Sequence, residues 1–270
     1  PRPLSPSGRG EIWITFISTT DTISSKTNQI SFPTQRHFKL MDDVVIRARG
    51  LSKNYVSGTV VTPVLRGVDF DVQRGECLYL VGPSGSGKTT LLSILGCVLT
   101  PDAGSLEILG ADVTRFTSHE QARFRREQAG FVFQRFHLFD ALTAEENVRV
   151  AFDLLHWPKS RSMPAARDLL AQVGLADKAA QRVTQLSMGQ KQRVALARAL
   201  AGDPALILAD EPTASLDADS GFTAMRVLKD LCHALGKTVI VVTHDSRIYS
   251  MADRMLKLAD GRVVETASGS

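Results

Sequence analysis

One segment constrains this chain more than any other: Gly82-Pro83-Ser84-Gly85-Ser86-Gly87-Lys88-Thr89. It follows a short all-apolar run, Cys77–Val81, and opens an apolar helical pattern from Lys88 to about Leu99. Strand, glycine-rich turn and helix in that order build a cradle for phosphate. The glycines let backbone N–H groups turn inward around anionic oxygens, and the helix start adds the positive end of its dipole. Pro83, Ser84, Gly85 and Ser86 line such a cradle. Lys88 can reach the β- and γ-phosphates of a nucleotide. Thr89, with Thr90 beside it, can offer a hydroxyl to Mg²⁺. A chain built around this unit is an α/β protein with a buried strand ahead of the loop.

The rest of the pattern agrees. Val44, Ile46 and Ala48, and then Val68, Phe70 and Val72, alternate with polar positions and predict half-buried antiparallel strands. Ala205–Ala209 and Thr238–Val242 are apolar runs of strand length. Thr143-x-x-Glu146 predicts a capping box opening a helix through about Leu155. Gly174, Gly202 and Gly236 each suit the position just past a helix. Asp260-Gly261 predicts a hairpin turn. The whole is a mainly parallel α/β core with an antiparallel edge and a helical insertion between about 115 and 185.

Two further segments carry chemistry. Ala205-Leu-Ile-Leu-Ala-Asp210-Glu211-Pro212 is an apolar strand ending in two adjacent acids. Neighbours on a strand face opposite sides, so the two acids need different tasks. Asp210 suits Mg²⁺, directly or through its water. Glu211, at the strand tip, suits polarising an attacking water as a general base. Leu186-Ser187-Met188-Gly189-Gln190 then precedes a helical run, Lys191–Ala201. Ser187 can cap that helix and offer a hydroxyl, and Gly189 lets backbone approach an anion. One chain handling one nucleotide alone has no use for a second phosphate-directed helix start.

Together these segments resemble the ATP-binding cassette (ABC) ATPases, over about Val44 to Glu265. The resemblance implies a P-loop NTPase cassette with a RecA-like mainly parallel core, an antiparallel β subdomain and a helical subdomain. It implies two cassettes, in the simplest case a homodimer, sandwiching two ATP molecules with Mg²⁺. Lys88, Gln134, Glu211 and His244 are then the catalytic set, and Thr89, Gln134 and Asp210 hold the metal. Tyr55 sits where the resemblance implies an aromatic stacked on adenine. Ser187, Gly189 and Gln190 of the signature, with Asp217 of Ser215-Leu216-Asp217, act on the nucleotide of the opposing cassette. Met188 departs from the family pattern by replacing the first glycine of the signature pair. It leaves nucleotide binding intact and puts the hydrolysis rate in question.

Leu142–Val148, Leu208–Asp217 and Val242–Asp245 resemble the single-cassette ATPases of lipoprotein-release, macrolide-export and heterocyst glycolipid-export systems, and the signature suits the glycolipid branch best. That implies a membrane permease, with or without a periplasmic adaptor, and a peripheral place on the cytoplasmic face of the inner membrane. Phe131, Phe133, Phe136 and Phe139 are either part of the permease docking surface or core. A signalling ATPase of the cell-division type shares these segments. A soluble cassette acting on ribosomes or DNA fits less well. The interval from glycine loop to signature lacks a sustained heptad, and 270 residues hold one cassette.

Charge supports that exclusion. Residues 1–40 hold five basic and two acidic side chains, whereas the remaining 230 carry 27 and 26. The near-neutral body shows no charge excess of the sort nucleic-acid binders concentrate on one face. No apolar run reaches the ~18 residues of a spanning helix. Cys77, Cys97 and Cys232, widely spaced in apolar segments, suit small buried hydrophobes. Residues 1–40, with twelve Ser/Thr and no secretory-signal pattern, are expected to be a disordered extension or the product of a mis-assigned start, with the cassette spanning 41–268.

Overall fold

The computed structural model of the chain describes residues 43–268, so the expectation for residues 1–40 lies outside it. β1 (Val44–Ser57) and β2 (Val60–Gln73) form a long antiparallel hairpin. Ile46, Ala48, Leu51, Leu65, Val68 and Val72 make its buried face. The hairpin runs further than the alternation predicts. Tyr55 pairs with Thr62 and Val56 with Val61, because backbone pairing beside a tight turn needs no buried face.

β3 (Cys77–Val81) is buried along its length. α1 (Lys88–Leu95) follows the glycine loop and stops at Gly96, short of the predicted Leu99. A β-carbon at Gly96 would lie 2.7 Å from the Phe131 ring, and Cys97 turns the chain with φ 52°. β4 (Ala103–Ile108) and β5 (Ala111–Asp112) complete an antiparallel sheet ordered β2-β1-β4-β5. α2 (Ser118–Glu127) leads into β6 (Ala129–Phe133). α3 (Ala144–Leu154) starts at the predicted capping box, with Thr143 and Glu146 bonding each other's backbone N–H. α4 (Lys159–Gln172) ends at Gly174 in a Schellman arrangement, with Leu175 N–H on the Leu170 carbonyl.

α5 (Met188–Leu200), β7 (Leu206–Asp210), α6 (Ala218–Ala234) and β8 (Thr238–Val242) follow. β9 (Arg254–Ala259) and β10 (Arg262–Ser268) form the hairpin expected at Asp260-Gly261, both residues at positive φ. The main sheet runs β10-β9-β3-β8-β7-β6 and is parallel except at β10. Within 115–185, β6 belongs to this sheet, and α3 and α4 pack on α5 as a helical layer.

α5 joins the two parts because it is apolar on two faces. Val194 and Ala197 pack with Val148, Phe152 and Leu170 of the helical layer. Ala195, Leu196 and Ala199 pack with Ile207 of β7 and Val239 and Val241 of β8. Each large aliphatic side chain so buried stabilises the fold by about 1.5–3 kcal/mol. The three cysteines are free and buried, and burial pushes each thiol up to about 12. The C-terminal ends of β3, β6, β7 and β8 share one sheet edge, where a parallel sheet offers its crevice.

Candidate functional site

The glycine loop leaves β3 at that edge and is held tightly. Gly82 has φ 144°, and a β-carbon there would lie 2.1 Å from the Leu258 carbonyl oxygen. Gly87 has φ 101°, and a β-carbon would come within 2.8 Å of Leu65 and of the Val64 carbonyl. The strand–loop–helix path therefore needs glycine at both ends. No side chain caps α1, so its first N–H groups stay available to an anion. Lys88 is 7% exposed, and Nζ donates to the carbonyls of Gly82 and Pro83, both at 2.8 Å. Burial lowers its pKa, against the pull of Glu211 and Asp210 nearby.

The two acids stand where β7 ends. Thr89 Oγ1 donates to Asp210 Oδ1 at 3.2 Å. Burial raises the Asp210 pKa, the Thr89 bond opposes the rise, and the neighbouring Glu211 charge adds to it. Strand alternation is not what separates the acids. Glu211 sits at φ 47°, its N–H bonded to the Val242 carbonyl at 2.9 Å. A left-handed non-glycine residue costs about 1–2 kcal/mol, and such strain concentrates at functional sites. The turn aims Glu211 at His244, which follows β8. Oε1 lies 2.7 Å from His244 Nδ1, and Oε2 accepts from the His244 N–H at 3.3 Å. Lys88, Thr89, Asp210, Glu211 and His244 thus form one cluster.

The other expected site residues divide between elements beside this cluster and the start of α5. Gln134 follows β6 and is exposed, with its carbonyl accepting from Ser215 Oγ at 2.9 Å. Tyr55 is 46% exposed, and its hydroxyl lies 3.5 Å from Thr90 Oγ1 at α1. Pro83, Ser84 and Gly85 form the exposed crest of the loop, and Ser86 is buried beneath it. Ser187, Gly189 and Gln190 group instead with α6. Ser187 Oγ accepts from the Gln190 N–H at 3.3 Å, and Gln190 Oε1 accepts from the Ser187 N–H at 2.9 Å. That leaves the Ser187 hydroxyl proton free. A β-carbon on Gly189 would meet Ser220 at 3.1 Å, so its absence lets α5 approach α6. Asp217 caps α6 by accepting from the Ser220 N–H at 2.9 Å, which holds its carboxyl below the usual range. Met188 is 48% exposed and opens on a 440 Å³ cleft with Lys191, Arg135 and Ser215, so its extra bulk meets no packed wall.

Comparison with known proteins decides the family. The family model described as "ABC transporter" matches residues 65–214, more than half of the chain.

This chain belongs to the ABC transporter family.

The cassette is 46% identical over 220 residues to the macrolide export ATP-binding/permease protein MacB 1/2 of Paracoccus denitrificans, covering 82% of this chain and 33% of that protein. It is 43% identical over 224 residues to MacB of Vibrio parahaemolyticus, covering 83% and 34%. The chain therefore spans about a third of the length of the curated relatives it matches. Among solved structures, the dimeric post-hydrolysis state of the ATP-binding cassette MJ0796 bound to ADP and Pi superposes with TM-score 0.76 at 37% identity, covering 83% of this chain and 99% of that one. CbiO1 of Clostridium perfringens, part of the transporter complex cbiONQ, has TM-score 0.78 at 27% identity, covering 84% and 90%.

Two residues that the sequence motifs include without a role of their own hold turns in the cassette. Asp245 accepts from Thr213 Oγ1 at 2.8 Å and from Arg247 at 2.7 and 2.8 Å, tying the turns after β7 and β8 together. Its position directly after His244 was the available signal. Asn147 is fully buried; its amide group accepts from the Phe139 N–H at 2.8 Å and donates to the Phe139 and Thr143 carbonyls at 3.1 and 2.9 Å, shaping the loop before α3. The four phenylalanines divide: Phe136 is core, Phe131 and Phe133 stack half-buried, and Phe139 is exposed.

Proposed function

We propose that the chain binds MgATP and hydrolyses it as one half of a cassette pair that drives a membrane permease. The observation that carries this reading is the convergence of Lys88, Thr89, Asp210, Glu211 and His244 on the uncapped start of α1. Among the described residues no three His, Cys, Asp or Glu side chains group as a metal cage. That suits Mg²⁺, which takes few protein ligands and keeps substrate oxygens and water. Thr89 and Asp210, joined by Gln134, are the residues to hold it. The ion supplies neutralisation of charge on the phosphoryl oxygens.

In this mechanism Lys88 leaves the Gly82 and Pro83 carbonyls for the β- and γ-phosphates. Glu211 accepts the proton of a water whose oxygen attacks the γ-phosphorus, and ADP departs as the leaving group. His244 trades Glu211 for the γ-phosphate. Tyr55 supports the adenine, with Gly82 to Thr90 around the phosphates. Ser187, Gly189, Gln190 and Asp217 complete the site of a second cassette, most simply an identical chain. The dimeric MJ0796 cassette supports that arrangement by its likeness.

The MacB relatives are ATP-binding/permease proteins, and this chain matches a third of their length. We place the permease on a separate chain or segment, with room for a periplasmic adaptor, and the cassette on the cytoplasmic face of the membrane. No helix among the described residues is long and apolar enough to cross a membrane.

The test is Glu211→Gln. ATP affinity should hold while turnover falls about 10²–10⁴-fold and a dimer persists in MgATP. Turnover near the wild-type rate removes Glu211 from the role of base. Co-purification of the tagged variant from detergent-solubilised membranes should yield a permease; ribosomes or nucleic acid instead would count against transport.

A further inference from the structure

The turn after Gln134 carries two left-handed residues in series, Phe136 at φ 58° and His137 at φ 48°. Neither is glycine, and a β-carbon crowds the backbone in this region. Such a pair persists only where its surroundings over-determine it. Here α5 does so. Arg198 Nη1 donates to the His137 carbonyl at 2.5 Å, and Nη2 donates to the Phe136 carbonyl at 2.7 Å. Each Nη thus spends a donor on backbone rather than on a carboxylate. From the other side, Ser215 Oγ holds the Gln134 carbonyl at 2.9 Å.

The fork sits near the C-terminal end of α5, whose N-terminal end is the Ser187 capping box. The helix between is continuous and buried on two faces. We propose that Arg198 is a positioning residue for ATP hydrolysis: its two-pronged hold makes α5 and the Gln134 turn move as one body, so that contact made at Ser187 reaches Gln134. This rests on the function proposed above, in which Ser187 meets the other cassette's nucleotide and Gln134 meets Mg²⁺. A planar fork spans two carbonyls; a lysine ammonium is a single point on a flexible stem and does not fix both.

The experiment compares Arg198→Lys and Arg198→Met with wild type in the full chain. It reads amide hydrogen exchange by peptide, MgATP affinity, kcat and melting midpoint. Arg198→Lys keeps charge and stem, which guards against simple unfolding. In both variants the peptide covering 134–138 should exchange about tenfold faster while β3 and the middle of α5 stay protected. MgATP affinity should stay within about threefold and kcat should fall about 10–100-fold. Unchanged exchange at 134–138 overturns the proposal, as does faster exchange with kcat near wild type. Protection lost throughout α5, β6 and β3, with a lower melting midpoint, also overturns it, because Arg198 is then merely structural. If the wild-type chain hydrolyses no ATP, the proposed function fails on its own account, and the exchange arm still decides whether Arg198 holds the turn.

Discussion

Glu211 is bonded twice to His244, through the imidazole Nδ1 at 2.7 Å and through the backbone N–H at 3.3 Å. The group proposed as general base is therefore engaged before any substrate arrives. Lys88 is likewise folded onto the carbonyls of its own loop. In the proposed mechanism a γ-phosphate takes over from these self-contacts, drawing the Lys88 ammonium off its carbonyls and His244 off Glu211.

His244→Ala should leave Glu211 without its aim and the γ-phosphate without a contact. We expect kcat to fall about 10²–10³-fold, with a much smaller change in ATP affinity. Steady-state turnover beside equilibrium nucleotide titration measures both. Wild-type kcat would show that the imidazole has no part in the reaction.

Lys88→Met should act on binding first. Among the described residues the ammonium bonds only loop carbonyls, so its removal should cost the fold little, while the phosphates would lose a charge-assisted partner. Calorimetric titration with MgATP should show affinity lowered by about 10-fold or more. The melting midpoint without nucleotide should stay close to wild type.

Asp245 predicts an acid-dependent stability. The Arg247 hydrogen bonds first, then those from Thr213 and backbone, hold its carboxyl down to about 2, against an ordinary 3.8. A folded pKa below the unfolded one stabilises the native state above the unfolded value and is lost as pH falls through the folded value. Arg247 is half exposed, so solvent screening reduces the contribution to about 1–2 kcal/mol. Asp245→Asn should melt below wild type at neutral pH, and the gap should close between about pH 4 and about pH 2. A gap that stays constant across that range would exclude this carboxylate as its source.

Gly130→Ala tests the seam between β6 and α5. A β-carbon there would lie 2.0 Å from the Ala199 carbonyl oxygen, backbone that cannot swing aside. We expect a loss of about 1–3 kcal/mol, seen as a lower denaturant midpoint. An unchanged midpoint would mean that α5 can draw back from β6 at no cost.

The sequence shows clearly wherever the determining interaction is local. β3, β7 and β8 announce themselves as apolar runs because both faces of a central parallel strand are covered. The start of α3 is written in Thr143 and Glu146, three residues apart, and the β9–β10 turn in Asp260-Gly261. The glycine loop belongs to the same class, since its conformation and its chemistry reside in eight consecutive residues. Pattern reading failed where distant chain intervenes. α1 stops at Gly96, where a β-carbon would lie 2.7 Å from the Phe131 ring, a contact that no local rule contains. At Gly189 a second requirement appears that local pattern does not contain, since a β-carbon there would lie 3.1 Å from Ser220 of α6.

What the sequence determined by itself was the set of parts: a phosphate loop, two acids at a strand end, a capped second helix start and the family to which they belong. Their order and spacing suffice because hydrogen bonds to backbone and hydrophobic periodicity act over a few residues. The tertiary structure alone decided how the parts engage. Glu211 and His244 are 33 residues apart, and Arg198 meets Phe136 across 62. Only the packing of α5 between the sheet and the helical layer, and the alignment of parallel strand ends along one edge, bring such pairs within hydrogen-bond reach.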